Sequence, residues 1–483
     1  MLKTGAQYIE EMKKMRPNVY KWGRLIEDVT TDPATAAHIK NVAMWYDKSN
    51  DPATADLYTT ISALSGQRAH RWNTLMATAE DVFGNENMKR DGYRSCGSCM
   101  GPVCAGWTAL NALYGATYDI DQELGTHYHE RVKNFMLFAE EHALSMAGAL
   151  TDAKGNRALK PGGQDNDDFY LHVDHEDEKG VYLSGYKNQI CGVVGAQYVI
   201  VLPTTGMGPG EEKYAVAAAV PRDAEGLTIV ETRRPSDTRV EEEGWDGIKS
   251  GTTQAFLMFD NVFVPHEHVF MNGELKMSGK AIGNFTSIYR AAIGGCVAGQ
   301  GDVMIGAALG MARANGLTQK AFQDKLTQMA INNETTYSGG AGAIFAGKQH
   351  KSGAWYPNAL LAHVNKVHVA ALPFNTRMLA QEISGGVTET GCIPSYQDMM
   401  NPEYGPKLLE SMRSGASAED RIKMARLVEW LTVGGGIPGC MHGGGSPDTA
   451  KMVVKGATRW DQYVDYARAL AQVENPLKEE KKE

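Results

Sequence analysis

Between residues 151 and 270 apolar residues recur at every second position, whereas on both sides of that stretch they recur at every third or fourth. This change of period restricts the fold more than any other feature. The middle stretch holds the strand patterns "GVYLSGYKNQI", "AQYVIVLPTT", "KYAVAAAVP", "GLTIVETR" and "TQAFLMFDNVFVP", separated by Gly, Pro and Asp. Before it come the helical patterns "AQYIEEMKKM", "PATADLYTTISALSGQRAHRWNTLMATAEDVF" and "ERVKNFMLFAEEHALSMAGAL". After it come "GGCVAGQGDVMIGAALGMARANG", "FQDKLTQMAINNETTYSGGAGAIFAG", "PNALLAHVNKVHVAALPFNTRMLAQEISGG" and "EDRIKMARLVEWLTV". The expected fold class is α+β, with an N-terminal helical domain over 1–145, a middle β-domain over 146–275 and a C-terminal helical domain over 276–483. There is no internal repeat, and the charged last ten or so residues are expected to be disordered.

Charge narrows the partners. With 57 acidic against 48 basic residues the net charge is -9, and there is no basic patch of the kind that nucleic acid requires. No apolar run approaches the roughly 18 residues of a membrane span, and the N-terminus "MLKTGAQYIEEMKKMRP" is charged, so a cytoplasmic protein is expected. Seven cysteines are too few and too clustered for a disulfide framework. Reduced thiols or metal ligation fit better.

Three of those cysteines, Cys96, Cys99 and Cys104, fall within "RSCGSCMGPVCAGW". "GALTDAKGNR", at the start of the β stretch, suits either a tight turn offering backbone N–H groups and the Thr151 hydroxyl to a polar ligand or a plain connection. "GGGIPGCMHGGGSP" contains G-x-G-x-x-G at Gly434 to Gly439, but it follows a helix, so a dinucleotide-binding reading fails. It remains a Gly-rich bend near a ligand or a turn between helices.

Together with the helix–sheet–helix order, "GALTDAKGNR" and "FDNVFVP" resemble flavoproteins related to the acyl-CoA dehydrogenases. More specifically, the chain is similar to the family that joins 4-hydroxybutyryl-CoA dehydratase with the large, flavin-using component of 4-hydroxyphenylacetate 3-monooxygenase. "ATYDIDQELGTHYHE", "DKLTQMAINNETTY", "ISGGVTETGCIPS" and "MHGGGSP" look like dehydratase segments. The Arg-Ser-Pro-Asp-Tyr stretch of the monooxygenase branch is missing, and Gly148 stands where that branch has His.

The resemblance implies an acyl-CoA dehydrogenase-like fold, bound FAD and a homotetramer. It also implies lyase or isomerase chemistry on a CoA thioester, the alternatives being a reduced-flavin monooxygenase and a cofactor-poor binding protein. Ala149, Thr151, Asn156, Arg157, Lys187, Gln189, Cys191, Gly385 and Gly386 fall at flavin contacts. Cys191 replaces a Thr and is either inert packing or close to flavin N5. Cys99, Cys104 and Cys296 fall at positions that in the dehydratases ligate a [4Fe-4S] cluster, with one residue inserted between the first two. Tyr289 stands at the position of the fourth ligand, a His that also serves as base, and Cys96 is the thiolate expected to replace it. Buried reduced thiols or a zinc site are the other readings of these four cysteines. Ile293, Val297 and Gly439 replace a Tyr, a Lys and a Glu of the dehydratases. A phenol of pKa about 10 is a poor base, so with Tyr289 in that place full dehydratase activity is not expected. His442 is either catalytic or a satisfied structural imidazole.

Overall fold

In the computed structural model, which describes residues 2–99, 101–233, 245, 253–389, 393–432, 443–475 and 477, the chain runs from helices through two sheets into a helical bundle. The first part comprises α1 (Gly5–Met12), the hairpin β1 (Val19–Lys21) and β2 (Arg24–Ile26), α2 (Ala36–Asn50), α3 (Ala55–Tyr58), the hairpin β3 (Thr59–Ile61) and β4 (Arg68–His70), α4 (Ala79–Cys96), α5 (Ala105–Leu124) and α6 (Tyr128–His142). The middle part comprises β5 (Met146–Ala149), β6 (His172–Glu176), β7 (Gly180–Cys191), β8 (Tyr198–Val201), β9 (Val216–Pro221), β10 (Leu227–Glu231), β11 (Gln254–Pro265) and β12 (Val269–Asn272). Then follow α7 (Leu275–Ala314), α8 (Lys320–Phe345), the hairpin β13 (Lys348–Gln349) and β14 (Trp355–Tyr356), and α9 (Ala359–Ser384). The chain continues through α10 (Gly386–Glu389), α11 (Tyr396–Met399), α12 (Gly405–Met412), α13 (Ala418–Thr432), α14 (Pro447–Ala457) and α15 (Trp460–Ala471).

The expected α+β class and each of the five quoted strand patterns are found. One sheet has the order β2-β1-β10-β11-β7-β6 and the other β12-β9-β8-β5. Two hairpins interrupt the stretch read as helical. In "VYKWGRLI", Trp22 (φ 54°) and Gly23 (φ 74°) form a two-residue turn with positive φ at both positions, which matches strand twist. β1 then pairs in parallel with β10, so the N-terminus contributes two strands to the larger sheet. The β-branched run Thr59–Thr60–Ile61 pairs with Arg68–His70 for the same local reason.

The bundle is built on α7. Among the described residues it is the one helix long and apolar enough to cross a membrane, yet 72% of its most apolar stretch is buried inside the molecule, as suits a core helix. It packs against α4, α5, α8, α9 and α13. Two glycines one turn apart, Gly295 and Gly299, lie directly on the α4 carbonyls of Glu86 and Arg90, so "GGCVAGQG" is where α4 approaches α7 most closely. α4 itself starts with a capping box at Thr78 and Asp81 and ends at Gly97 in the left-handed conformation (φ 64°).

Candidate active site

The αL cap at Gly97 turns the chain sharply, so the cysteines before and after it point to different places. The Cys96 thiol faces back to its own helix and donates to Gly92 O (3.3 Å) and Ser98 O (3.5 Å). Burial pushes that thiol up to about 12. Beyond the turn, Cys99 Sγ lies 3.5 Å from Cys191 Sγ, at the end of β7. The contact is fixed by the backbones: a Cβ on Gly101 would come within 2.5 Å of Gly192 Cα, and one on Gly192 within 2.5 Å of Gly101 Cα. Neither position admits a side chain without the two segments parting.

Cys104 precedes α5, and burial raises its thiol while the Lys89 ammonium acts in the opposite sense. Cys296 donates to Ile293 O at 3.4 Å and packs with Ile293, Val297, Val369 and Tyr289. Tyr289 lies among the thiols: burial raises its phenol well above the usual value, and Cys104, Cys99, Cys296 and Cys191 all add to the rise. The Cys191 thiol is likewise held well up, first by its hydrogen bond with Cys99 and then by burial.

Of the expected set, Cys99, Cys104 and Cys296 lie around Tyr289, whereas the Cys96 thiol is directed to Gly92 O and Ser98 O. Cys96 is turned away by the helix cap, and Cys191 takes its place beside Cys99. Among the described residues no three His, Cys, Asp or Glu side chains converge closely enough to hold a metal ion.

Three charged residues missed in the sequence complete the site. Lys89, 2% exposed, comes from the buried face of α4. One turn earlier Glu86 is fully buried, without a hydrogen-bond partner on either carboxylate oxygen, and burial raises its pKa well above the carboxylate range. Arg290 donates from Nε to Gly444 O at 2.9 Å, and Gly444 also abuts the Tyr289 ring. The Gly-rich segment thus returns to Tyr289, although His442 and Gly434 to Gly439 themselves lie outside the described residues, as do most of the charged C-terminal residues. The signal for Glu86 and Lys89 was present: they share a helical stripe with Val82 and Tyr93.

The residues expected at flavin contacts form a second surface. Lys187 is enclosed, its ammonium paired with Asp152 (2.7 Å) and donating to Leu150 O and Leu202 O (2.9 and 2.8 Å). It acts as a tie that fixes the Thr151 turn to β7, reinforced by Asn188 N donating to Thr151 O at 2.8 Å. Gln189 is exposed at φ 59°, an unusual conformation for a non-glycine residue, next to the register shift between β7 and β11. Ala149 is buried in β5, while Asn156 and Arg157 are exposed in the following loop. Gly385 joins α9 to α10, which Gly386 opens, and both have open space where their Cβ atoms would be, flanked by the buried hydroxyls of Ser384 and Thr388, which lack hydrogen-bond partners.

Comparison with known proteins gives the chain's family. The family description "4-hydroxyphenylacetate 3-hydroxylase N terminal" matches residues 4–271, and its C-terminal counterpart matches residues 278–472. The 4-hydroxybutyryl-CoA dehydratase/vinylacetyl-CoA-Delta-isomerase of Clostridium aminobutyricum is 33% identical, covering 98% of this chain and 99% of its own. The 4-hydroxyphenylacetate 3-monooxygenase oxygenase component of Thermus thermophilus is 26% identical, covering 90% and 89%. An oxygen-tolerant archaeal 4-hydroxybutyryl-CoA dehydratase from N. maritimus superposes with a TM-score of 0.95 at 32% identity, covering 100% of this chain and 97% of that one. The oxygenase component of 4-hydroxyphenylacetate 3-monooxygenase complexed with FAD shares the fold, with a TM-score of 0.84 at 23% identity over 97% and 98% of the two chains.

Proposed function

The chain belongs to the 4-hydroxyphenylacetate 3-hydroxylase family, and on that premise we propose that it is a FAD-dependent enzyme of the lyase or isomerase class acting on an acyl-CoA thioester. The observation that carries this reading is the gathering of Cys99, Cys104, Cys296 and Tyr289 around Cys191 at the end of β7, in a chain alike over its full length to a dehydratase.

FAD fits the residues present. The open Gly385–Gly386 step with its two orphaned hydroxyls suits a polar ligand, and the Thr151 turn, held by Lys187 and Asp152, offers backbone and hydroxyl groups beside Gln189. When bound, the flavin would supply reversible electron transfer to the acyl chain. The chain's own groups set the charge around it. Tyr289, held protonated, does not take a proton at neutral pH. The ammonium of Lys89 beside it favours an anion forming on the thioester carbonyl. Burial raises the pKa of Glu86 one turn away, with Lys89 and Arg90 opposing the rise.

A [4Fe-4S] cluster is left out of this reading, since among the described residues no three His, Cys, Asp or Glu side chains converge closely enough to hold a metal ion. The Cys96 thiol is turned toward Gly92, Cys296 is packed among Ile293, Val297 and Val369, and Cys99 is in contact with Cys191. The same proposal takes the enzyme to be a cytoplasmic homotetramer: α15 buries none of its residues and exposes Trp460, Tyr463, Tyr466 and Leu470, and a helix this short has little stability without a partner surface.

Protein purified without oxygen should release FAD at about one per chain on denaturation, and should interconvert or dehydrate a member of a panel of 4-hydroxyacyl- and enoyl-CoA thioesters, read by chromatography. A sample that stays colourless with excess FAD and shows no change in Tm would refute the flavin. Hydroxylation of phenols with reduced flavin, and no turnover of any thioester, would move the protein to the oxygenase branch.

A further inference from the structure

We propose that Cys99 and Cys191 form a reversible disulfide that clamps the N-terminal helical part of the chain onto β7. Their sulfurs are already in contact at 3.5 Å across a sequence separation of 92 residues, and bond formation would bring them to about 2.05 Å. The Gly101–Gly192 contact, closed to any Cβ on either side, keeps the two segments from drifting apart. Cys96, the other thiol of the C-x-x-C pair, is directed to Gly92 O and Ser98 O, so it does not compete for Cys99 in the reduced state.

The oxidant is a low-molecular-weight disulfide. One protein thiolate attacks a sulfur of that disulfide, expels one small thiol and leaves a mixed disulfide. The second protein thiolate attacks the protein sulfur of the mixed disulfide and expels the second small thiol. Cys99 and Cys191 together lose two protons and two electrons, one S–S bond forms in the protein, and the S–S bond of the oxidant is reduced to two thiols. Neither flavin nor iron takes part, so the clamp stands or falls independently of the proposed activity.

The clamp has a defined place. Cys191 ends the strand that carries Lys187 and Gln189, and Cys99 begins the segment leading to Cys104. Oxidation therefore ties the thiol segment to the surface expected to meet the flavin, and removes two thiols from around Tyr289.

The full chain is to be incubated with glutathione disulfide at pH 8.5, blocked with N-ethylmaleimide, digested without reduction and analysed by mass spectrometry. The expected product is a crosslinked peptide pair joining Cys99 to Cys191, with two fewer alkylated thiols per chain, reversed by dithiothreitol. Oxidation should raise Tm by on the order of 5 °C, since a long loop is closed, and the rise should be absent in Cys99→Ser and Cys191→Ser. Mapping on the wild-type chain decides the matter even if a variant fails to fold. A crosslink between Cys96 and Cys99, seven alkylated thiols after oxidation, or stoichiometric iron that protects Cys99 would each overturn the proposal.

Discussion

The ammonium of Lys89 stands 5.6 Å from the centroid of the Tyr289 ring, a cation set against the face of a phenol that burial keeps protonated. The two residues come from different helices, α4 and α7, and meet because Gly295 and Gly299 let those helices touch. Their pairing defines what the site can do with charge: it supports a developing anion but lacks a base at position 289.

Replacing Tyr289 by Phe should therefore lower turnover of the preferred thioester by less than about tenfold and leave the pH–rate profile between pH 6 and 9 unchanged. A general base would be worth roughly 10²–10⁴. By the same reasoning, dehydration of 4-hydroxybutyryl-CoA by the wild type should fall short of a true dehydratase by about that factor. Steady-state rates across pH check both, and brisk crotonyl-CoA formation would contradict the second.

Lys89→Met removes the charge that opposes the rise of the Cys104 thiol. Cys104 should then be alkylated severalfold more slowly by iodoacetamide at pH 8, as followed by mass spectrometry of its peptide. An unchanged rate would mean that Lys89 has no hold on that thiol.

Asp152→Asn leaves the Lys187 ammonium without its carboxylate in a site where both side chains are 2% exposed or less. Breaking such a buried pair from one side costs about 3–5 kcal/mol, to be read as a lower urea midpoint. Because the pair fixes the Thr151 turn to β7, FAD retention in gel filtration should fall with it. A variant that keeps full stability would show that the two carbonyl acceptors alone suffice for Lys187.

His70 gives a pH dependence with a definite sign. It is buried, accepts from Lys3 N at 2.9 Å and meets Ser49 Oγ at 2.8 Å, and burial first, then the nearby positive charges, lowers its pKa to about 3. In the unfolded chain it takes a proton near pH 6.5, whereas the folded chain does not until near pH 3. Stability should thus fall as the pH is lowered from 6.5 toward 3, by up to about 1.4 kcal/mol per pH unit from this residue. Denaturant titrations at pH 4, 5, 6 and 7 should show a shallower fall for His70→Gln than for the wild type.

The strands of the middle part were legible because alternation carries through whole elements such as "TQAFLMFDNVFVP". The two early hairpins were hidden because each strand spans only three residues and lies within helical surroundings. At the site, Cys104, Cys296 and Tyr289 were legible from flanking sequence. Cys96 misled because C-x-x-C spacing is silent about the left-handed cap between its members. The Cys99–Cys191 contact could not be read, since nothing local links residues 92 positions apart. Lys187 was read as a ligand for the cofactor, but its strand alternation places it inward, beside Asp152.

α7 is a single helix of 40 residues, about 60 Å long, and it carries Tyr289, Arg290, Gly295, Cys296 and Gly299 within about three turns. It works as a ruler whose marks cannot be moved one at a time. Inserting one residue just before Tyr289 would rotate everything upstream by about 100° relative to everything downstream. The marks would still be present, but the sheet end of the ruler and the bundle end would no longer agree on which face is inward. Away from Gly295 and Gly299, substitutions along α7 are thus open to drift, whereas changes in its length are closed.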